Sequence, residues 1–426
     1  MRWGILAFLF ILAVINFADK SIAGLSAVPI MKELNLTYTQ WGVVGSSFFW
    51  FFSIAGVIGA ALSDRIGTKK MLAIMALIWS VVQFSAFIIT GLPLLILSRV
   101  LLGIGEGPFY ATAVNHLNKW FPPESRSLPL SILNFGNSIG ALVSAPILVA
   151  VIVGSGWRIA YGLLGCISLV WFILWMWIGR EKPENKEMAS DSKVPVQKIK
   201  WSELVVILRS RTFIFTSLAG FSAYWMVAFI LVWMPTYLIE VKSFTQTNMG
   251  YFIAAAGVIA SVLYITLSWL TDRLFRKNQS YKKSHVFVAG LSLILAGILF
   301  YSITLLSHSA WIFAVMCFVQ ASAILMFIMG PQIVTHLLPE RGGLMSGLMM
   351  GIATLAGIVG SAVIGNFVQT AGNHTVQGFN NAIILSSALL FIFGFLFLLY
   401  TDPERKISVN SSSIKNAQMN GWKKSL

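Results

Sequence analysis

The chain has 426 residues, of which 57% are apolar and only 11% charged, and it carries a formal net charge of +15 and a mean hydropathy of +0.80. A soluble domain typically holds about 25% charged residues and cannot hide this much apolar surface, so soluble globular and disordered classes are excluded. Long unbroken apolar runs, without the alternation of a barrel strand, exclude a membrane β-barrel as well.

At about 20 residues per crossing, the runs give twelve membrane spans. The first six cover 4–30, 41–62, 71–90, 94–115, 128–153 and 159–179, and the second six 212–239, 249–270, 285–306, 310–334, 344–369 and 381–400. Connections are short except for the charged stretch 180–211, which divides the chain. The predicted fold is all-α and integral to the membrane. A six-helix lobe at 1–179 is followed by a cytoplasmic linker at 180–211, a second six-helix lobe at 212–400 and a tail at 401–426. The tail is rich in Ser, Asn and Lys and reads as disordered. With the N-terminus inside, 25 of the 30 Lys and Arg fall in inside segments and 3 in outside loops, which predicts that both termini are cytoplasmic. The net positive charge then meets membrane lipid and not nucleic acid.

The first span carries Asn16, Asp19 and Lys20, which argue against a cleavable signal segment. Asn16 and Lys20, four apart, share a helix face, and Asp19 is turned from them by about 100°. After the second span comes Asp64-Arg65-Ile66-Gly67-Thr68-Lys69-Lys70. The fourth span holds Arg99 and Glu106, seven apart and on one face, with Glu106 inside Gly103-Ile-Gly-Glu-Gly-Pro108. Its glycines are expected to leave the carboxylate uncrowded, and Pro108 to loosen the local ladder. Asn134 and Asn137 lie in the fifth span. In the second half, Tyr224 and Trp225 (seventh span), Gln320 (tenth) and Thr354 (eleventh) are the candidate cavity-lining residues. Gly-x-x-x-Gly runs at Gly136–Gly140 and Gly347–Gly351 are expected to bring helices close.

The halves echo each other. Asp272-Arg273-Leu274-Phe275-Arg276-Lys277 follows the eighth span, 208 residues after the Asp64 loop, and Pro123-Glu124-Ser125-Arg126 resembles Pro339-Glu340-Arg341. Matching loops at matching positions indicate a parallel duplication of a six-helix unit.

With its Asp-Arg-x-Gly core at Asp64–Gly67, the chain resembles the major facilitator superfamily. Val14-Ile-Asn-Phe-Ala-Asp-Lys20, Ser98-Arg-Val-Leu-Leu-Gly-Ile-Gly-Glu-Gly-Pro108, Lys119-Trp-Phe-Pro-Pro-Glu-Ser-Arg126 and Asn134-Phe-Gly-Asn-Ser-Ile-Gly140 resemble the anion:cation symporters, carriers of organic anions such as hexuronates, galactonate and phthalate. The resemblance implies coupling carboxylates at Asp19 and Glu106 and a helix-four arginine at Arg99. Lys20 stands where that family usually has Arg. Phe52, Gly56 and Met350 replace residues that are often Tyr, Gln and Asn.

No Walker A loop, catalytic triad, zinc pattern or dinucleotide loop is present, so neither an enzyme nor a cofactor is expected and a gradient must drive transport. Only Asp19 and Glu106 among 15 acidic residues lie deep in spans, with Lys20 and Arg99 as basic companions. A charge at mid-bilayer costs about 3 kcal/mol on insertion scales. Two structural ion pairs are one explanation. A proton relay through Asp19, Glu106 and Arg99 beside an anion anchor at Lys20 and Asn16 is the other. The leading expectation is a monomeric, proton-coupled symporter of a small organic anion in a bacterial cytoplasmic membrane, with a proton-coupled efflux antiporter as the alternative. A sensor would need a soluble output domain. The gating role falls to Asp64, Arg65, Gly67 and Lys69, echoed by Asp272 and Arg273, with Asp64 interacting with a helix N-terminus and Arg65 latching across the cytoplasmic face.

Overall fold

The computed structural model describes residues 1–122, 125–181, 201–306, 308–338 and 341–405. The described residues form helices and no strands. Twelve helices are long and apolar enough to cross a membrane: α1 Arg2–Leu25, α2 Tyr38–Ile66, α3 Thr68–Phe87, α4 Leu92–Trp120, α5 Leu128–Ser155, α6 Trp157–Ile178, α7 Arg211–Glu240, α8 Gln246–Asn278, α9 Lys282–Ser302, α10 Ser309–Leu337, α11 Gly342–Thr370 and α12 Thr375–Tyr400. Their outer faces are apolar, as at Val57, Ile88 and the 81%-exposed Trp177, which suits lipid as solvent.

Local chemistry moves several predicted boundaries. The first span stops at Leu25, because the Ser26 hydroxyl turns back onto the Ile22 carbonyl and a short helix, Ala27–Glu33, carries Pro29 in its first turn. α2 starts at Tyr38 through a reciprocal capping box between Thr37 and Gln40. α8 runs eight residues past its predicted end, so Asp272 and Arg273 stand on a helix and not in a loop. Within 180–211, Trp201–Leu208 is helical, while 182–200 lie outside the described residues, as do 406–426 of the tail and the Pro-Glu parts of the matched loops.

Three spans are interrupted. α2 breaks over 48–51, and α4 breaks at Gly107-Pro108. α7 passes through a π-helical turn at Phe229–Trp233. The last has a direct cause, since Pro235 has no N–H for the Leu231 carbonyl.

Glycines set the close crossings. A Cβ on Gly136 would lie 2.9 Å from the Ala13 Cβ, and one on Gly140 2.8 Å from the Phe17 Cβ, so this pair seats α5 on α1. The Gly347–Gly351 expectation fails: a Cβ at either position meets nothing within 4 Å.

The two halves meet at the end of the bundle away from the termini. There the Tyr38 N–H donates to Gln369 Oε1 at 2.9 Å, the Trp41 indole N–H to the Val232 carbonyl, and Gln246 Nε2 to the Leu25 carbonyl. Gly42 packs against the Ser361 carbonyl and Gly250 against Val149. Nearer mid-span, the Ser53 and Thr354 hydroxyls lie 2.6 Å apart.

Candidate functional site

The deep charged residues converge between α1, α3 and α4. Asp19 and Glu106 are 0% and 1% exposed, and Asn16 and Arg99 are buried too. The Lys20 ammonium donates to Asn16 Oδ1 at 2.6 Å and stands 3.5 Å from Glu106 Oε2, within ion-pair range but longer than a usual hydrogen bond. Asp19 points elsewhere. Its Oδ1 accepts from Gln83 Nε2 on α3 at 2.6 Å, and its Oδ2 is buried without a protein hydrogen-bond partner. The 100° between residues 19 and 20 therefore separates two carboxylate sites: Asp19 with Gln83, and Glu106 with Lys20 and Asn16.

Arg99 makes no ion pair within 4 Å among the described residues. Its guanidinium lies over Phe48, 5.0 Å from the ring centre, and its Nε and Nη1 have no hydrogen-bond partner. The Lys20 ammonium is likewise 5.5 Å from the Phe52 ring centre. The break in α2 places these two rings under the two cations. Lys20 and Arg99 line one water-sized cavity, together with Trp41, Phe49 and Leu231.

Contrary to the expectation from sequence, the glycines around Glu106 do not leave it uncrowded; they admit α2. A Cβ on Gly103 would collide with the Phe48 carbonyl, and one on Gly107 with the Phe52 carbonyl. The α4 helix then stops at Glu106 and restarts at Phe109. The carboxylate is thus at a chain break pressed against another chain break.

A larger cavity lies between the halves, nearer the end that carries the termini. Tyr110, Asn134, Asn137, Tyr264, Gln320 and Phe327 line it, around about 1230 Å³ of space that includes its open mouth. Asn134 Nδ2 donates to the Tyr110 hydroxyl at 3.1 Å. Tyr224 sits between halves, ring to ring with Phe49 at 5.7 Å and Phe327 at 5.5 Å. Thr354 faces Ser53 across the same interface. Trp225 is turned away: its indole N–H donates to Ser386 Oγ at 2.9 Å and its ring packs against Gly360, inside the second half.

The expected gating residues divide. Gly67, at φ +92°, has the backbone a turn between α2 and α3 requires. Asp64 does not meet a helix N-terminus; it ends α2 and accepts from Asn115 Nδ2 at 2.8 Å. Arg65 is exposed, and Arg273 lies over its own helix's Trp269 at 5.5 Å. The residue that caps α3 is Glu181, which sequence reasoning passed over. Its carboxylate accepts from the Lys69 N–H at 2.6 Å, the Thr68 hydroxyl at 2.8 Å and the Lys119 ammonium at 2.8 Å. Thr68 Oγ1 in turn meets His116 Nδ1 at 2.8 Å. One carboxylate so ties the start of α3 to the ends of α4 and α6.

Partial burial pushes the Glu181 carboxyl up, but the Lys119, Lys69 and Thr68 donors outweigh it and hold it at about 2. The folded value is below the ordinary carboxylate value of about 4.3. The clamp's contribution is therefore complete above the ordinary range and is lost as pH falls toward 2. Glu181→Gln should be less stable than wild type at pH 7, and the gap should begin to narrow near pH 5, be roughly halved by about pH 3 and close only as pH falls toward 2. Thermal unfolding of both proteins across that range checks it; a gap that does not change with pH would remove the charge from the explanation.

The Major Facilitator Superfamily family model matches residues 9–361. The chain belongs to that superfamily. This member of the superfamily is a multi-pass membrane transporter and not an enzyme. It is 27% identical over 393 residues to the hexuronate transporter of Bacillus subtilis (strain 168), covering 90% of this chain and 91% of that one. It is 26% identical over 431 residues to a probable sulfoacetate transporter of Cupriavidus necator, covering 95% and 94%. With the probable L-galactonate transporter of Escherichia coli (strain K12) it shares 29% over 290 residues, 65% of this chain and 63% of that one. Among solved structures, a bacterial homologue of the human lysosomal transporter Spinster, inward-facing and unoccupied, superposes with a TM-score of 0.79 at 16% identity, over 94% of this chain and 97% of that one. The arrangement of the superfamily member's twelve spans is thus that of known carriers.

Proposed function

We propose that this chain imports a small organic anion together with protons, by alternating access, across a bacterial cytoplasmic membrane. The observation that carries the reading is the buried cluster itself: two carboxylates and two cations, shared between α1 and α4 and opening toward the inter-half cavities through Lys20. Four ionisable groups at this depth are costly. An anion anchor at Lys20 beside a proton relay of Asp19, Glu106 and Arg99 gives each of them work, and the relatives named for hexuronate, galactonate and sulfoacetate are all carriers of anions. An acidic cavity for a cationic drug would not place Lys20 at its wall.

In the proposed cycle, two six-helix lobes, 1–179 and 212–400, rock around this cluster. With both termini cytoplasmic, a bundle joined at the far end and open near the termini is inward-facing. Lys20, held by Asn16, receives the substrate carboxylate. Glu106 competes for Lys20 while it is charged, and taking up a proton frees the ammonium for the anion. Asp19, held by Gln83, is the second proton site. Proton and anion binding are therefore mutually favourable, as linkage requires. The Asp64–Lys69 turn and its Asp272–Arg273 counterpart adjust the cytoplasmic ends, and one chain holds the complete cavity, so the monomer is the working unit.

The test is uptake of a carboxylate panel into proteoliposomes with and without an imposed inward proton gradient. Acceleration by the gradient is the expected result, and uptake indifferent to it would exclude coupling. Lys20→Ala should weaken anion binding about tenfold or more, while Lys20→Arg keeps it, because either cation supplies the charge. Equal affinity of wild type and Lys20→Ala would show that the anchor lies elsewhere.

A further inference from the structure

Beside the Lys20 cavity runs a second one of different character. Phe17, Leu25, Ile230, Ile253, Met316 and Ile324 are among its walls, and it encloses about 880 Å³ of space including its mouth. Of this, about 160 Å³ is open to a molecule, below the range of drug-sized ligand sites and in keeping with a single ring or short alkyl chain. Among the described residues, its polar side chains are Ser21 and Gln320. Ser21 is already occupied, its hydroxyl donating to the Ala18 carbonyl at 3.1 Å.

Two shared walls put this crevice beside both cavities of the proposed route. Leu231 is a wall of both the crevice and the Lys20–Arg99 cavity. Phe17, Gln320 and Ile324 are walls of both the crevice and the large cavity nearer the termini. The α7 wall is the π-helical turn Phe229–Trp233 with Pro235 behind it, a local widening of the helix of a type found disproportionately at functional sites.

We propose that this crevice receives the non-polar body of the transported anion, so that the carrier prefers amphiphilic carboxylates, aromatic or short aliphatic acids, over polyhydroxylated ones. The proposal rests on the anion reading above. A molecule whose carboxylate is at Lys20 has an apolar cleft on the other side of Leu231. A ring or alkyl chain fills that cleft at no polar cost. A sugar acid would strip water from several hydroxyls there and find only the Gln320 amide. Rejection of added hydroxyls by an apolar pocket is worth roughly a hundredfold at most, so the preference should be finite.

The experiment uses the purified full-length protein in detergent, with affinities from tryptophan fluorescence for phenylacetate, hexanoate, glucuronate and the uncharged phenylacetamide. Phenylacetate and hexanoate should bind roughly tenfold to a hundredfold tighter than glucuronate. Ile253→Gln and Ile324→Gln should each narrow that ratio, whereas loss of all binding in one variant would be judged on the other. Glucuronate binding as tightly as phenylacetate would overturn the proposal. Phenylacetamide binding as tightly as phenylacetate would leave the apolar pocket standing and sink the anion reading. Absence of binding by all four would sink both.

Discussion

Glu106→Gln is expected to abolish proton-driven accumulation while leaving exchange of substrate across the membrane close to the wild-type rate. Glutamine keeps the size of the side chain, so the meeting of the two chain breaks at Gly103 and Gly107 is undisturbed. What disappears is the charge 3.5 Å from the Lys20 ammonium. At an effective dielectric of about 20, a pair near 4 Å is worth roughly 4 kcal/mol before desolvation is counted. Even a quarter of that changes anion affinity about fivefold. In wild type this competition is switched off only when a proton arrives; in the variant it is always off. Substrate should therefore bind at least as well and exchange freely, but no longer carry protons with it. Proteoliposomes loaded with cold substrate and given labelled substrate measure exchange, and the same vesicles with an imposed pH gradient measure accumulation. Normal accumulation in the variant would leave Asp19 as the sole proton site.

Twelve spans and their order were legible from hydropathy, because a bilayer leaves helices little alternative. So were the four deep charges, since each is an exception in an apolar run. Their pairing was less legible. Nothing in sequence spacing says that Asp19 turns to Gln83, 64 residues away, while Lys20 turns to Glu106. Gln83 is the lone amide in its predicted span, and that oddity was the available signal. Phe48 and Phe52 read as part of an aromatic run, and only the break in α2 reveals them as rings beneath Arg99 and Lys20. Glu181 begins a stretch crowded with charges, so composition could not single out the one that caps α3. Trp225 errs the other way: a tryptophan next to Tyr224 looked like a cavity residue but bonds inside its own half.

Gly24→Val should stop transport without unfolding the protein, because the side chain it adds is excluded from one access state only. In the present state a Cβ on Gly24 would collide with the Leu231 carbonyl, a contact between the halves at the end that closes the bundle. The obstacle is backbone, which no rotamer change can move aside. That carbonyl is available at the surface of α7 because Pro235 cannot bond to it, so the same proline that makes the π turn also makes the landing site for α1. Overpacking of this kind costs about 1–3 kcal/mol where neighbours can adjust. At the upper end it shifts a two-state equilibrium by more than a hundredfold. The halves relieve the collision by parting at the far end, so the variant should accumulate with that end open. Spin labels at Thr37 and Asn373, exposed near the far ends of α2 and α11, should then report a longer distance than in wild type. Gly154→Val serves as the control, because nothing lies within 4 Å of a Cβ there. Wild-type uptake by Gly24→Val, or an unchanged label distance, would mean that the α1–α7 contact is not a closure that the cycle has to open and remake.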